Sequence, residues 1–263
     1  MGYIAALFIG ISLGLIGGGG SVLTVPVLVY LFGINPVVST SYSLFVVGST
    51  SLVGAFNNYR KGMVQIKTAL LFGLASITTV FLTRKVLIPL IPEHIATIGS
   101  FNLTESIITM VLFAILMVAA SLSMIKGRKK QPKETRTENE KINLPKLLLY
   151  GVAIGMATGL LGAGGGFLLI PTLVLLVKLP MKEAVGTSLL IIALNSLIGF
   201  TGDIGHFDIN WFFLIKVTSI AIAGIFAGGW IGKRIEGDKL KKGFGWFVLV
   251  MGIFIIIREA FFN

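Results

Sequence analysis

Gly14-Leu15-Ile16-Gly17-Gly18-Gly19-Gly20, a glycine cluster that closes at Pro26, recurs as Gly159-Leu160-Leu161-Gly162-Ala163-Gly164-Gly165-Gly166, which closes at Pro171. The two prolines stand 145 positions apart. Each copy lies inside a long apolar run, so the chain reads as two membrane-embedded units, each organised around a break in its first helix. Paired Gly/Pro-interrupted segments at corresponding positions of two halves point to the binding region of a transporter.

Outward from the motif the same offset continues. Ser43-Leu44 pairs with Ser188-Leu189, and Ser51-Leu52-Val53-Gly54 pairs with Ser196-Leu197-Ile198-Gly199. The register slips by one at Pro36 and Pro180 and by two near Gln65 and Asp208, after which the likeness weakens. The spacing predicts a duplication, with a first membrane repeat at 1–125, a basic cytoplasmic linker at 126–146 and a second membrane repeat at 147–263.

Composition sets the class. Of 263 residues, 55% are hydrophobic and only 13% are charged, and the mean hydropathy is +0.94; a soluble domain carries about 25% charged residues. Apolar segments at 3–33, 37–56, 66–83, 104–125, 147–178, 184–202, 211–232 and 243–262 predict an all-α polytopic membrane protein. They amount to about eight membrane elements in two groups of four, most of them near or beyond the roughly 20 residues that cross about 30 Å of hydrocarbon. The net charge of +11 does not point to nucleic acid, because Lys and Arg cluster in short segments between apolar runs, as cytoplasmic loops do. Cysteine is absent, which excludes disulfides, thiolate catalysis and sulfur-ligated metals. The first apolar run does not read as a signal peptide, since no basic residue precedes it and its counterpart lies mid-chain. Ala6 stands where a myristoylation signal needs Ser or Thr.

The linker carries Lys126, Arg128, Lys129, Lys130, Lys133, Arg136, Lys141 and Lys146. A second basic segment, with Lys233, Arg234, Lys239, Lys241 and Lys242, should share its face of the membrane, which requires an even number of crossings between the two. Three apolar segments intervene, so either one of them is re-entrant or the rule fails locally. The glycine-broken 147–178 is the candidate, because as one straight helix it would measure about 46 Å, longer than the hydrocarbon core. Arg60-Lys61 and Arg84-Lys85, on either side of the third run, leave the first half undecided.

A run such as Gly17 to Gly20 is poor helix, at a cost of roughly 1 kcal/mol per glycine relative to alanine. In lipid the backbone groups so freed need partners within the protein or a wet cavity. A half-helix restarting at about Ser21 or Phe167 would turn free N–H groups and its positive dipole end into that cavity, which suits an anion. Gly10/Gly14, Gly155/Gly159 and Gly224/Gly228/Gly232 have the spacing of packing seams; the contiguous clusters do not. The expected substrate-binding set is Gly17, Gly18, Gly19, Gly20, Ser21, Ser43 and Thr50 in the first half. In the second it is Gly162, Gly164, Gly165, Gly166, Thr187, Ser188 and Asn195. Serine and threonine in membrane helices often bond back to their own carbonyls. Asn195 stands out, because an amide at membrane depth is costly without a partner.

Ionisable residues inside the spans are few. Lys216 is placed to snorkel, Glu105 and Asp203 fall at helix ends, and no buried acidic relay is expected. Asp203, His206 and Asp208 read as a solvated turn in preference to a titrating gate, and His94 and His206 do not form a metal pair. No metal or cofactor is expected, and no nucleophile–base pair appears within the spans, which disfavours an enzyme.

The doubled motif with Pro26 and Pro171, together with Thr187-Ser188-Leu189-Leu190, resembles the TauE/SafE sulfite exporter family. The resemblance covers nearly the whole chain, including the basic linker, and Ala163 replaces one glycine of the second motif. It implies a multi-pass carrier of the bacterial or archaeal inner (cytoplasmic) membrane for small sulfur-containing anions such as sulfite, thiosulfate, sulfonates or sulfoacetate. The partners implied are a small anionic substrate and the lipid bilayer. Import, export and proton coupling are all compatible with two halves rocking about a central site. A passive anion channel and a membrane scaffold without transport are the alternative readings.

Overall fold

The computed structural model describes residues 1–92, 94–98, 101–125, 144–206, 208–231 and 237–261. Most of the expected linker, 126–143, and the basic stretch 232–236 lie outside the described residues.

Helix α1 (Gly2–Ile16) ends where Gly17 takes a φ of +83°, a conformation that glycine adopts without steric cost. A 3-10 turn (Gly19–Leu23) then leads into α2 (Thr24–Phe32). Helix α3 (Pro36–Tyr59) starts with Pro36 in its first turn and with the Asn35 side chain accepting the Val37 N–H at 2.9 Å, both ordinary start signals. It is followed by α4 (Ile66–Leu82), a π-helical turn (Thr83–Leu87) and a 3-10 turn (Ile88–Leu90). A short antiparallel hairpin of β1 (His94–Ile98) and β2 (Phe101–Thr104) precedes α5 (Glu105–Ile125). The second half comprises α6 (Leu144–Leu161), α7 (Gly166–Leu176), α8 (Met181–Asp203), α9 (Trp211–Ile231) and α10 (Gly237–Phe261). The apolar body is therefore helical as predicted. The β-hairpin is an addition that hydropathy does not signal: Pro92 stops the helix, and Ile95, Thr97, Ile98 and Phe101 favour extended backbone.

Both glycine breaks reverse the chain. Gly20 lies against Ser12 and Leu13 of α1, while Gly2 backs onto the Phe32 ring, which also stacks edge-on against Tyr3 at 5.3 Å. Helix α2 thus returns alongside α1. In the second half Gly165 lies against Ile154 and Thr158, and Leu147 shares a cluster with Leu173 and Val177. Each first segment is a helical hairpin with its ends together, a re-entrant shape for which 147–178 is the candidate in the sequence and which the sequence leaves undecided for the first half. Helices α6 and α7 thus start and finish at the same end of the helical body.

The halves interlock. Helix α1 packs on α9 through Gly10 against the Ala221 backbone, and α6 packs on α4 through Gly155 against the Ser76 backbone, 2.6 Å from where a methyl group would stand. Helices α3 and α8 cross at the centre in opposite directions. Asn58 and Met63, at the end of α3, meet Gly186 at the start of α8, whereas Tyr42, near the start of α3, bonds to residues beyond the end of α8. Exchanging each residue with the one 145 positions away maps these contacts onto themselves. Gly17 lies against Val185 and Gly162 against Thr40; Gly54 lies against Leu189 and Ile225, and Gly199 against Leu44 and Val80. Helices α3 and α8 begin 145 residues apart, and so do α4 and α9. The register that blurs in sequence after Gln65 thus persists in the fold.

Polarity is inverted relative to a soluble protein. Ser39, Thr40, Ser43, Thr50, Thr187, Ser188 and Asn195 are buried, while Phe8, Leu74, Phe212, Phe226 and Val250 are exposed. Among the described residues, Pro36–Tyr59, Ile66–Leu90, Met181–Asp203 and Trp211–Ile231 are each long and apolar enough to cross a membrane. One expectation is overturned. Arg84 does not flank the third run as a loop charge but is fully buried in the π-helical turn, paired with Asp203. The helix runs on to Leu90, because a buried carboxylate at the end of α8 gives the guanidinium a partner.

Candidate functional site

The two breaks touch. A methyl group on Gly18 would stand 2.6 Å from the Cα and carbonyl of Gly166, so the backbones of the two hairpin tips are in direct contact. Around this contact the chain is fixed by side chains of α3 and α8. The Ser43 hydroxyl donates to the Gly162 carbonyl at 2.7 Å, and Gly164 sits against Val47, Ile192 and the Ser196 hydroxyl. Ser21 closes its own turn by donating to the Gly18 carbonyl at 2.8 Å.

The two breaks are not identical. In the second, Gly162, Gly164 and Gly165 all have φ near the left-handed region (+66°, +65° and +67°) and α7 begins at Gly166. The first N–H groups of α7, at Gly166 and Phe167, have no acceptor within the helix, as at any helix start. In the first, Gly19 and Gly20 open the 3-10 turn and α-helix resumes only at Thr24, three residues later than the sequence suggests. The tighter turn uses backbone groups that an α-helical restart at Ser21 would leave free.

Thr50 and Ser51 on α3 occupy the positions equivalent to Asn195 and Ser196 on α8, and all four are fully buried. Asn195 Oδ1 accepts from the Ser76 hydroxyl at 2.9 Å. Its Nδ2, with Thr50 Oγ1, Ser51 Oγ, Ser196 Oγ, Thr24 Oγ1 and Thr158 Oγ1, has no hydrogen-bond partner among the described residues. An unsatisfied buried group costs about 1–3 kcal/mol, and folded proteins leave few of them. These unpartnered groups are concentrated along α3, α8 and the hairpins.

Other predicted residues serve the fold. Thr187 Oγ1 accepts the Gln65 N–H at 3.0 Å, and Ser188 bonds back to the Val185 carbonyl at 2.9 Å. The Thr187 contact has an equivalent at the opposite end, where Tyr42 Oη accepts the Asn210 N–H at 2.7 Å. Lys216 is exposed with its ammonium 4.5 Å from the Tyr3 ring centre, a snorkelling position. His206 and Asp208 are exposed as expected, but Asp203 is buried. Sequence reasoning misses Ser76, whose role depends on a cross-half contact, and the Arg84–Asp203 pair, since Arg84 stands one residue beyond an apolar run. No group of three or more metal-binding side chains occurs among the described residues.

The sequence pattern described as sulfite exporter TauE/SafE matches residues 3–255. A protein of Xylella fastidiosa named "probable membrane transporter protein" is 29% identical over 254 residues, covering 95% of this chain and 92% of that one. Similarly named proteins of Methanocaldococcus jannaschii and Bacillus subtilis are each 27% identical, covering 97% and 98% of this chain and 94% and 96% of their own lengths. No solved structure matches the chain. A doubled glycine break buried in an inverted-polarity helical body, and a family match across nearly its whole length, lead to one conclusion: the chain belongs to the sulfite exporter TauE/SafE family of membrane transporters.

Proposed function

We propose that the protein is a secondary transporter that moves small sulfur-containing anions, of the sulfite, thiosulfate, sulfonate or sulfoacetate type, across the cytoplasmic membrane. The contact of Gly18 with Gly166 carries this reading, because it brings two broken hairpins to one point between α3 and α8. Backbone N–H groups of the α7 start and the unpartnered groups of Thr50, Ser51, Asn195 and Ser196 then offer donors to an anion. Glycine at the tips lets the ligand approach the backbone closely.

The exchangeable contacts and the antiparallel α3 and α8 support an inverted duplication, the arrangement in which two halves rock about a fixed central site. Charge supports an orientation. Arg60, Lys61, Lys67, Lys178 and Lys182 fall at the end where α3 finishes and α8 starts. The clustering of these charges supports reading that end as the cytoplasmic one.

The test is uptake and counterflow of radiolabelled sulfite and thiosulfate in proteoliposomes, with and without a pH gradient. Saturable uptake that is stimulated by unlabelled anion on the opposite side supports the carrier, and a response to the gradient adds proton coupling. Flux without trans-stimulation identifies a passive channel, and no flux of either anion overturns the substrate assignment.

A further inference from the structure

Arg84 is the one arginine or lysine that the structure shows wholly buried among the described residues, at 0% exposure, and Asp203 is 1% exposed. Nη1 of Arg84 meets Asp203 Oδ2 at 3.2 Å. Nε and Nη2, which form the opposite, side-on edge of the planar guanidinium, are buried with no hydrogen-bond partner among the described residues. That edge presents two parallel N–H donors, the fork that binds two oxygens of one anionic group. A buried arginine with two of its three guanidinium nitrogens unpartnered is costly, and ionisable groups at such depth mark ligand paths.

The pair sits beside the second glycine break. Thr83, the residue before Arg84, packs on Gly159, three positions before Gly162, while Thr40 backs Gly162 itself and its neighbour Ser41 faces Asp203. Gly202 leaves room for the Arg84 stem, 3.0 Å from where its own methyl group would be. Glu105, at the start of α5, and His206 are the other titratable groups that act on the pair. The arrangement has no counterpart at the cytoplasmic end, because the equivalent positions hold Gly229 and Asn58. Here the exchange symmetry of the halves fails.

We propose that the Nε–Nη2 edge of Arg84 is a binding subsite for one oxyanion on the non-cytoplasmic side of the glycine breaks, with Asp203 as the residue that positions the guanidinium. The inference rests on the reading of the protein as an anion transporter, and assigns the group that receives the anion's oxygens at that end. The pair is neutral, so an anion at the fork adds a negative charge beside Asp203. Removing the Asp203 charge must then strengthen binding, whereas a purely structural ion pair predicts only destabilisation.

The experiment measures thermal unfolding of the purified full-length chain in detergent, titrated with sulfate, sulfite and thiosulfate against chloride at constant ionic strength. Wild type is stabilised by at least one oxyanion beyond chloride. Asp203→Asn is less stable in chloride, and the same oxyanion rescues it with several-fold higher apparent affinity. In the double variant Arg84→Leu/Asp203→Leu both charges are gone, so no unpaired ion is left buried, a replacement that is commonly tolerated. Its unfolding temperature in chloride stays near wild type and its oxyanion affinity falls at least tenfold. Wild-type affinity in the double variant, or unchanged affinity in Asp203→Asn, overturns the Arg84 subsite and leaves the transporter reading intact. Wild type indifferent to all three oxyanions overturns both.

Discussion

Asn195 receives its hydrogen bond from Ser76, a residue of the other half, and keeps its amide nitrogen buried without a partner. The carbonyl oxygen of the side chain is thereby anchored, and the amide N–H₂ is left buried without a partner, as are the hydroxyls of Thr50, Ser51 and Ser196. An amide held at one end and free at the other is preorganised to donate.

The two ends are separable by mutation. Ser76→Ala leaves Asn195 Oδ1 without its donor, which should lower stability by about 1–3 kcal/mol while anion affinity stays within a factor of two. Asn195→Leu should weaken anion binding at least tenfold. Thermal unfolding and anion titration of both variants decide the matter. Equal loss of affinity in the two variants would reduce the amide to a packing group.

Gly18 and Gly166 leave no space for a side chain at their contact. Gly18→Ala or Gly166→Ala must push the hairpin tips apart, and overpacking of this kind costs about 1–3 kcal/mol. Transport should fall by at least an order of magnitude in either variant. Gly229→Ala, where nothing lies within 4 Å, is the control, with wild-type stability and uptake. Full transport in Gly18→Ala would show that the tips need not touch.

The hairpins also set the topology. Because the chain has no cysteine, single cysteines introduced for Lys61, Lys182 and His206, all exposed, report their side of the membrane to an impermeant maleimide. Lys61→Cys and Lys182→Cys should label from the cytoplasmic side and His206→Cys from the other. Lys146→Cys should label with Lys182→Cys, since α6–α7 returns to its starting face. Labelling of positions 146 and 182 from opposite sides would make that segment a full crossing.

Much of this was legible in the sequence, and the exceptions have a common cause. The breaks at Gly17 and Gly162 and the 145-residue offset between the halves follow from composition and spacing, which are legible along the chain. The Arg84–Asp203 pair, the Ser76–Asn195 bond and the use of Thr187 by Gln65 are contacts between residues separated by 119, 119 and 122 positions. No local pattern encodes them. Arg84 misleads because a basic residue just past an apolar run is ordinarily a loop charge, and only the partner on α8 keeps it inside. Thr187 misleads for the converse reason: a hydroxyl at membrane depth suggests a ligand, yet it sits in the first turns of α8 within reach of a backbone N–H.

The bond between Gln65 N–H and Thr187 Oγ1 lies at the end proposed as cytoplasmic, and that between Asn210 N–H and Tyr42 Oη at the opposite end; residues 65 and 210, like 42 and 187, differ by 145. If the halves rock about the glycine breaks, these equivalent bonds are latches on opposite faces, and weakening either one biases the protein toward opening at that face. Thr187→Val and Tyr42→Phe each remove the acceptor of one such bond with little change of shape, the latter also removing the hydroxyl that donates to the Asp208 carbonyl at 3.4 Å, a loss of about 1 kcal/mol per bond and hence a shift of at least roughly fivefold in the ratio of open forms. Ser51→Cys, buried and near the crossing of α3 with α8, reports access to the centre. Thr187→Val should speed its labelling by an impermeant thiosulfonate from the cytoplasmic side and slow it from the other, and Tyr42→Phe should do the reverse. Faster labelling from both sides in either variant would mean that the two ends open independently, as in a pore, and alternating access would have to be abandoned.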